Sequence, residues 1–477
     1  MPTMNMPHGM AGVQLWRALT FFVLHCCYES YFFCLHAAPT AASVLRSDRL
    51  IGWKGEVHSV EASLSRPLAI DKRLGCPNVS AGRGGTPDPQ EAGYNWLYTY
   101  PRDDTSGPHY THMAMVTQLP NGTFLAAWQA AALTEGKSDQ HLVTCISLDD
   151  TGAHWALPQK LEAVGDGKLP LWGPTFLVDK QRAVLWLFYS QNAGSCRGGP
   201  MEFMPGGDIK GIRYNLHQHE WGQPQLILPQ SSDGGIPKVT ANKAIELSTG
   251  EMVMPFWREN ALVGDSKPCK QLKGKPGAGV LISEDRGATW KPYGYLTTKG
   301  SWLIENALAE LSDGRLMMVF RTRIAKIFVS YSEDKGRTWS AARPLASFPN
   351  PNSKVDLTRL EPHGELVLVY NDHVGPNKDM ALQRQGCIKC RTHLRLAISY
   401  DDGVTWQPLA SLEDVVKPTL RIHYPTLQQN GCMLMVAYSL FNKIPDANDD
   451  TEHGIKIKHV HLTAPNHGSD LLRRARS

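Results

Sequence analysis

Along this chain the apolar residues gather into pairs of short runs joined by a polar turn, and the unit recurs six times. The copies are 116–128 about Asn121-Gly122, 176–189 about 179–182, and 244–257 about Thr249-Gly250. They continue as 307–320 about Asp313-Gly314, 357–370 about His363-Gly364, and 424–438 about Asn430-Gly431. Asn-Gly and Asp-Gly between apolar runs are strong hairpin signals, because both accept the positive φ that a tight turn requires. Each copy therefore predicts two adjacent strands, and low helix content follows.

A second repeat runs in phase with the hairpins. Ser283-Glu-Asp285-Arg-Gly287-Ala-Thr289-Trp290 has close copies at Ser332–Trp339 and Ser399–Trp406 as Ser-x-Asp-x-Gly-x-Thr-Trp. A weaker copy keeps Asp150, Gly152 and Trp155, and a fifth, 214–221, keeps only Trp221. Asp and Ser side chains cap backbone groups in turns, Gly supplies an unusual φ, and Trp packs between sheets. Such turns report architecture, not chemistry. Six hairpins, five followed by a third strand and a Trp-ended turn, predict a six-bladed, all-β propeller. The sixth hairpin leads instead to the alternating run 454–462, and the chain at Tyr94–Tyr100 is expected to complete that last blade. Closing the ring removes exposed strand edges.

Composition narrows the class without changing it. Charged residues are 20% and the net charge is only +4 over 477 residues, which leaves no electrostatic footprint for nucleic-acid binding. Residues 1–45 differ from the rest: Arg17 precedes an apolar stretch, and small residues follow at Ala37-Ala38-Pro39-Thr40-Ala41-Ala42. That order predicts a secretory signal, with a signal anchor or organelle transit peptide as alternatives. His25 and Glu29 interrupt the apolar stretch, so no membrane span is expected once the signal is removed. The expected organisation is a targeting segment (1–45), an extension (46–93), the propeller (94–463) and a basic tail (464–477).

Three of the ten cysteines lie in the leader, and the remaining seven leave at least one unpaired in a monomer. Cys387 and Cys390 suit a loop disulfide better than zinc, because no second ligand pair stands at ribbon-like spacing. No metal or other cofactor is expected.

Propellers carry chemistry where the innermost strands meet the axis. Polar groups collect there just before the first strand or just after the second strand of each hairpin. They are His112, Gln129, Arg258, Glu305, Asn306, Arg321, Arg323, Asp356, Asn371, His423 and Tyr424.

With these residues in view, the chain resembles the sialidase superfamily and its Asp-box (BNR) repeat proteins. The stretch from Ile304-Glu305-Asn306 to Phe320-Arg321 is similar to the family segment bearing a glutamate and the second arginine of a carboxylate clamp. Arg391-Thr-His-Leu-Arg-Leu resembles the strand led by the clamp's third arginine. Tyr424, in Arg421-Ile-His-Tyr424-Pro, stands where the family has its nucleophile. The family's acid/base aspartate matches Asp139 best. The likeness departs at blade one, where the family's first clamp arginine is replaced by His112. An imidazole does not replace a bidentate guanidinium in kind.

The resemblance implies a retaining exo-glycosidase acting on a terminal acidic sugar of a glycoconjugate. Tyr424, Glu305 and Asp139 would be catalytic, and Arg321, Arg391 and His112 would bind substrate. The chemistry is coherent. Guanidinium forks match a carboxylate, and a neutral phenol attacks an anionic sugar with less repulsion than a carboxylate would. His112 leaves two alternatives open: a uronate hydrolase or lyase on the same scaffold, or a glycan-binding propeller without turnover.

Overall fold

The computed structural model describes residues 94–100, 107–194, 203–259, 274–373, 391–414, 419–442 and 453–462. It also places a short strand pair, β1 (Ile70–Asp71) and β2 (Cys76–Pro77). The leader, most of 46–93, the Cys387/Cys390 loop and the tail 464–477 lie outside the described residues.

Six antiparallel sheets follow one another along the chain. Blade one contains β4 (Tyr110–Gln118), β5 (Phe124–Ala131), β6 (His141–Ile146) and β7 (Gln159–Lys160). Blade two is built on β8 (Leu171–Asp179), β9 (Val184–Gln191) and β10 (Asp208–Asn215), with β11 (Glu220–Trp221) and β12 (Gln225–Leu228) both pairing β10. Blade three has a divided inner strand, β13 (Lys238–Val239) and β14 (Ile245–Glu246). It continues through β15 (Met252–Arg258), β16 (Gly277–Ser283) and β17 (Lys291–Leu296).

Blade four runs from β18 (Ile304–Glu310) and β19 (Leu316–Arg321) to β20 (Ala325–Ser332) and β21 (Arg343–Asn350). Blade five comprises β22 (Asp356–Arg359), β23 (Leu366–Asn371), β24 (Leu394–Ser399) and β25 (Gln407–Glu413). Blade six joins β26 (Leu420–Asn430), β27 (Met433–Asn442) and β28 (His453–His461) to β3 (Tyr94–Tyr100), which pairs β28 from Tyr100↔His453 to Tyr94↔Lys458. An N-terminal strand thus closes the ring, and the fold is the six-bladed propeller that the repeats predict.

Every blade buries both faces, which is why the second strands are apolar at consecutive positions; all eight residues of β5 are buried. Each neighbouring pair of blades shares an apolar seam. Phe188, Trp186 and Ile209 of blade two meet Met252, Met254 and Phe256 of blade three. Leu97, Tyr98 and Ile455 of blade six meet Phe124, Ala126 and Trp128 of blade one.

The Trp-ended turns lock these seams from outside. In the blade-three turn, Ser283 Oγ accepts from Gly287 N at 2.7 Å, and Asp285 takes both the N–H and the hydroxyl of Thr289 at 2.8 and 2.6 Å. Trp290 then packs edge-on against Phe188 of the preceding blade, ring centres 5.2 Å apart. Trp406 meets Phe348 of blade four in the same way. In the weak first copy the sequence spacing points to Asp150, but Asp149 is the residue that caps. It accepts from the backbones of Thr151, Ala153 and His154. The turn is one residue wider than in the other copies, and Ser147 takes the serine's place by accepting from Phe124 N at 2.7 Å.

Cys145 is a buried free thiol, whereas Cys432 is disulfide-bonded. Among the described residues no helix is long and apolar enough to cross a membrane.

Candidate active site

Four of the six innermost strands share one irregularity. The ladder slips by a residue between His112 and Met115, Trp172 and Thr175, Ile304 and Ala307, and His423 and Thr426. At each slip one residue has a left-handed backbone: Met113 (φ 57°), Gly173 (51°), Glu305 (49°) and Tyr424 (59°). A bulge interrupts the alternation of side chains and re-aims one of them. For non-glycine residues such a conformation costs on the order of 1–3 kcal/mol and needs surroundings that enforce it. Here Asn242 Nδ2 donates to the Glu305 carbonyl at 2.8 Å. Lys354 Nζ donates to the Pro425 carbonyl at 2.6 Å and to Thr426 Oγ1 at 3.1 Å. Blade three braces Glu305 on blade four, and the link between blades four and five braces Tyr424 on blade six.

The bulges bring Glu305 and Tyr424 together, although 119 positions separate them in sequence. The Tyr424 hydroxyl donates to Glu305 Oε1 at 2.7 Å. Arg321, the last residue of β19, donates through one nitrogen to the same carboxylate oxygen at 2.7 Å and to the Tyr424 oxygen. Arg391 lies 5.5 Å from the Tyr424 ring, and donates to His423 Nδ1 at 2.6 Å and to the Asn352 carbonyl. His112 packs on the Tyr424 ring at 3.8 Å and hydrogen-bonds Ser439 Oγ at 3.1 Å. All five are buried, with exposures of 3–7%. Five of the six residues expected from the sequence therefore converge.

Asp139 does not join them. It lies exposed on the loop after β5, where Oδ2 accepts from Ala132 N at 2.7 Å. Of the other polar residues flagged at the axis, several stitch blades together: Asp356 pairs Lys243 at 3.2 Å, and Asn371 donates to the Ile422 carbonyl at 2.7 Å. Arg258 pairs Asp233, and Arg323 lies over Trp302.

Three participants escaped the sequence reading. Asn352 bridges the two arginines, its side-chain oxygen accepting from Arg321 Nε at 2.8 Å and its carbonyl from Arg391. Lys354 buttresses Tyr424 from behind. Glu135, four residues before Asp139, accepts from Gln129 Nε2 at 3.3 Å and shares a hydrogen bond with Tyr110. The only sequence signal for Glu135 was its place on the loop already singled out.

The electrostatics are asymmetric. Burial opposes the Arg321 charge, but Glu305 and Tyr424 outweigh it and hold that guanidinium above its ordinary value. Among the described residues Arg391 has no carboxylate partner, and burial together with Arg321 lowers it to about 10. Burial raises the Tyr424 phenol well above its usual range, against the pull of Arg321 and Arg391, so the hydroxyl is protonated at rest. Burial and the two arginines push His112 far below its ordinary value, and His423 likewise, so both rings are neutral. Because Arg391 can only donate, His423 Nδ1 is the acceptor and its proton sits on Nε2. Among the described residues, that buried Nε2, Arg391 Nε and Glu305 Oε2 have no hydrogen-bond partner. The site thus offers two donors beside an unmatched positive charge, which suits an anionic group. Among the described residues no cluster of three or more His, Cys, Asp or Glu side chains suits a metal ion.

Comparison with known proteins agrees with this architecture. Residues 122–436 match the BNR repeat-like domain. A sialidase of Micromonospora viridifaciens is 24% identical over 331 residues, which are 63% of this chain and 45% of that protein. A sialidase of Bacteroides fragilis is 29% identical over 135 residues, or 28% of this chain and 23% of that protein. The chain spans less than half the length of either curated relative. The NanB sialidase from Streptococcus pneumoniae superposes with a TM-score of 0.56 over 76% of this chain and 70% of its own, a likeness of fold at 13% identity. By its domain match and its ring of repeated sheets, the chain belongs to the BNR repeat-like family of the sialidase superfamily.

Proposed function

We propose that the protein is a retaining exo-glycosidase that removes a terminal acidic sugar from a glycoconjugate, with Tyr424 as nucleophile and Glu305 as its base. One observation carries this reading: the Tyr424 hydroxyl donates to Glu305 Oε1 at 2.7 Å while two arginines flank the phenol. As the phenol oxygen attacks the anomeric carbon, its proton passes to Glu305, whose separation lies within the range for proton transfer. Arg321 steadies both oxygens through the transfer.

The sugar's carboxylate pairs with Arg391, whose lowered basicity reflects a charge awaiting a partner, and with the free edge of Arg321. His112, being neutral, contributes contact and a hydrogen bond but no charge. Two guanidiniums with one carboxylate between them leave the site suited to a monoanion. The sialidase relatives support an acidic sugar as the substrate class, and the leader supports entry into the secretory pathway, where glycoconjugates are met.

The test is release of fluorophore from acidic-sugar aryl glycosides by the purified protein. Tyr424→Phe and Glu305→Ala should each abolish release while circular dichroism and the main thermal transition persist. Undiminished turnover in both variants refutes the assignment.

A further inference from the structure

A tyrosine and its base account for only half of a glycosidase. The departing sugar oxygen leaves as a poor anion unless an acid protonates it, and the water that later attacks needs a base. Asp139, the expected donor, is occupied in capping its own loop at Ala132 N and is exposed.

The same loop carries Glu135, which is fixed from several directions. Gln129 Oε1 accepts from Gly173 N on blade two at 3.0 Å. That contact turns the Gln129 amide nitrogen towards Glu135 Oε1 (3.3 Å) and the Tyr110 hydroxyl (3.2 Å). Gly136, at φ 75°, is held by Gln140 Oε1 on its N–H and by Met204 N on its carbonyl. Tyr110 lies 5.6 Å from His112, and His112 lies 3.8 Å from Tyr424, so the carboxyl stands at the edge of the nucleophile's own surroundings. The charged groups it feels are Glu305, Arg321 and Arg391, the same three that surround Tyr424.

We propose that Glu135 is the acid–base residue of this site, a step that rests on the glycosidase reading above. In the first half-reaction the Tyr424 oxygen bonds the anomeric carbon and its proton goes to Glu305. The glycosidic C–O bond breaks, and the leaving oxygen takes the proton of Glu135. In the second, Glu135 takes a proton from water, the water oxygen bonds the anomeric carbon, and Tyr424 departs and recovers its proton from Glu305. Atoms and charge balance over the cycle, and no further reactant is needed. Burial raises the Glu135 carboxyl above its ordinary range, with the nearby Glu305 adding to it against Tyr110 and the arginines. The direction favours the protonated form that the first step uses.

The experiment compares Glu135→Gln and Asp139→Asn on two substrates of one acidic sugar, an aryl glycoside with an acidic phenol and an alkyl glycoside. For Glu135→Gln, kcat/KM on the alkyl glycoside should fall about 10²–10⁴-fold, the usual worth of general acid catalysis. On the aryl glycoside, whose leaving group needs no proton, kcat/KM should fall less than tenfold. The variant should also accumulate a tyrosyl–sugar adduct that azide releases as the glycosyl azide with retained configuration. Asp139→Asn should stay within a few-fold of wild type on both. Equal losses on the two substrates, no loss at all, or the leaving-group signature in Asp139→Asn overturns the assignment to Glu135 while leaving the glycosidase reading intact. A wild-type protein inert on every acidic aryl glycoside overturns that reading, and this assignment with it. Gln is nearly isosteric and removes a half-buried ionisable group, so the variant is expected to fold.

Discussion

Arg321 and Arg391 are both buried, each 7% exposed, yet replacing either by Met should have very different consequences. Arg321 is matched by Glu305 at 2.7 Å, both side chains being almost fully enclosed. Removing one member of a buried pair strands the other and costs roughly 3–5 kcal/mol. Arg391 has no carboxylate among the described residues, and its lowering to about 10 means that folding works against its charge. At ~1.4 kcal/mol per pH unit, that is on the order of 3 kcal/mol, relieved when a neutral side chain takes its place. Against this, Arg391→Met leaves His423 Nδ1 and the Asn352 carbonyl without their donor, about 1–3 kcal/mol each. The opposing effects nearly cancel. Urea unfolding without ligand should place Arg391→Met within about 2 kcal/mol of wild type, and Arg321→Met roughly 3 kcal/mol below it. An acidic-sugar ligand at a hundred times its Kd should stabilise wild type by ~2.7 kcal/mol but leave Arg391→Met unmoved. Equal destabilisation of the two variants, or equal stabilisation of Arg391→Met by the ligand, would refute the idea of an unmatched charge kept for an anion.

Other predictions follow from single contacts. Tyr424→Phe should lose turnover and keep binding, since the arginines remain; calorimetry with an acidic-sugar analogue checks it, and lost binding counts against the division of roles. Because His112 and His423 are held neutral in the fold, only the unfolded chain takes up their protons as pH falls below ~6.5, so acid destabilises by up to ~1.4 kcal/mol per pH unit for each ring. Urea midpoints from pH 7 to 5.5 should fall less steeply in His423→Gln than in wild type. Gly287→Ala and Gly250→Ala both put a side chain at positive φ, but a Cβ on Gly287 meets Trp186 at 2.6 Å while Gly250 faces open space. Crowding should cost Gly287→Ala about 1–3 kcal/mol more, read as a lower melting temperature.

The architecture was legible because its signals are local. Hairpin Gly residues, capping Asp and seam-filling Trp each perform their task within a few residues of chain. Even the closing strand could be placed, since blade six lacked a partner and Tyr94–Tyr100 had none nearer. The Asp149 cap was misplaced by one position because pattern matching kept the spacing of the regular turns, whereas the ladder allowed an extra residue. At the site, Glu305, Arg321 and Tyr424 were readable from their motifs, but the reason for their convergence was not. The bulges at Met113, Glu305 and Tyr424 put ordinary residues at positive φ, and no compositional mark announces that; only Gly173 is the expected residue type. Glu135 and Asp139 share one loop, and no pattern in the sequence tells that Asp139 caps its own turn while Gln129 and Tyr110 hold Glu135. Asn352 and Lys354 sit on the link between blades four and five, where no repeat fixes the register.

The central claim, that Tyr424 is an activated nucleophile facing an acidic sugar, is tested most directly by trapping. An acidic-sugar donor with a fluoride leaving group and a second fluorine beside the anomeric carbon slows breakdown of a covalent intermediate. Intact-mass and peptide analysis of the treated protein should find one sugar per chain, attached at Tyr424, and none on Tyr424→Phe. Attachment at another residue, or turnover of the aryl glycoside with no adduct under any condition, would contradict the account.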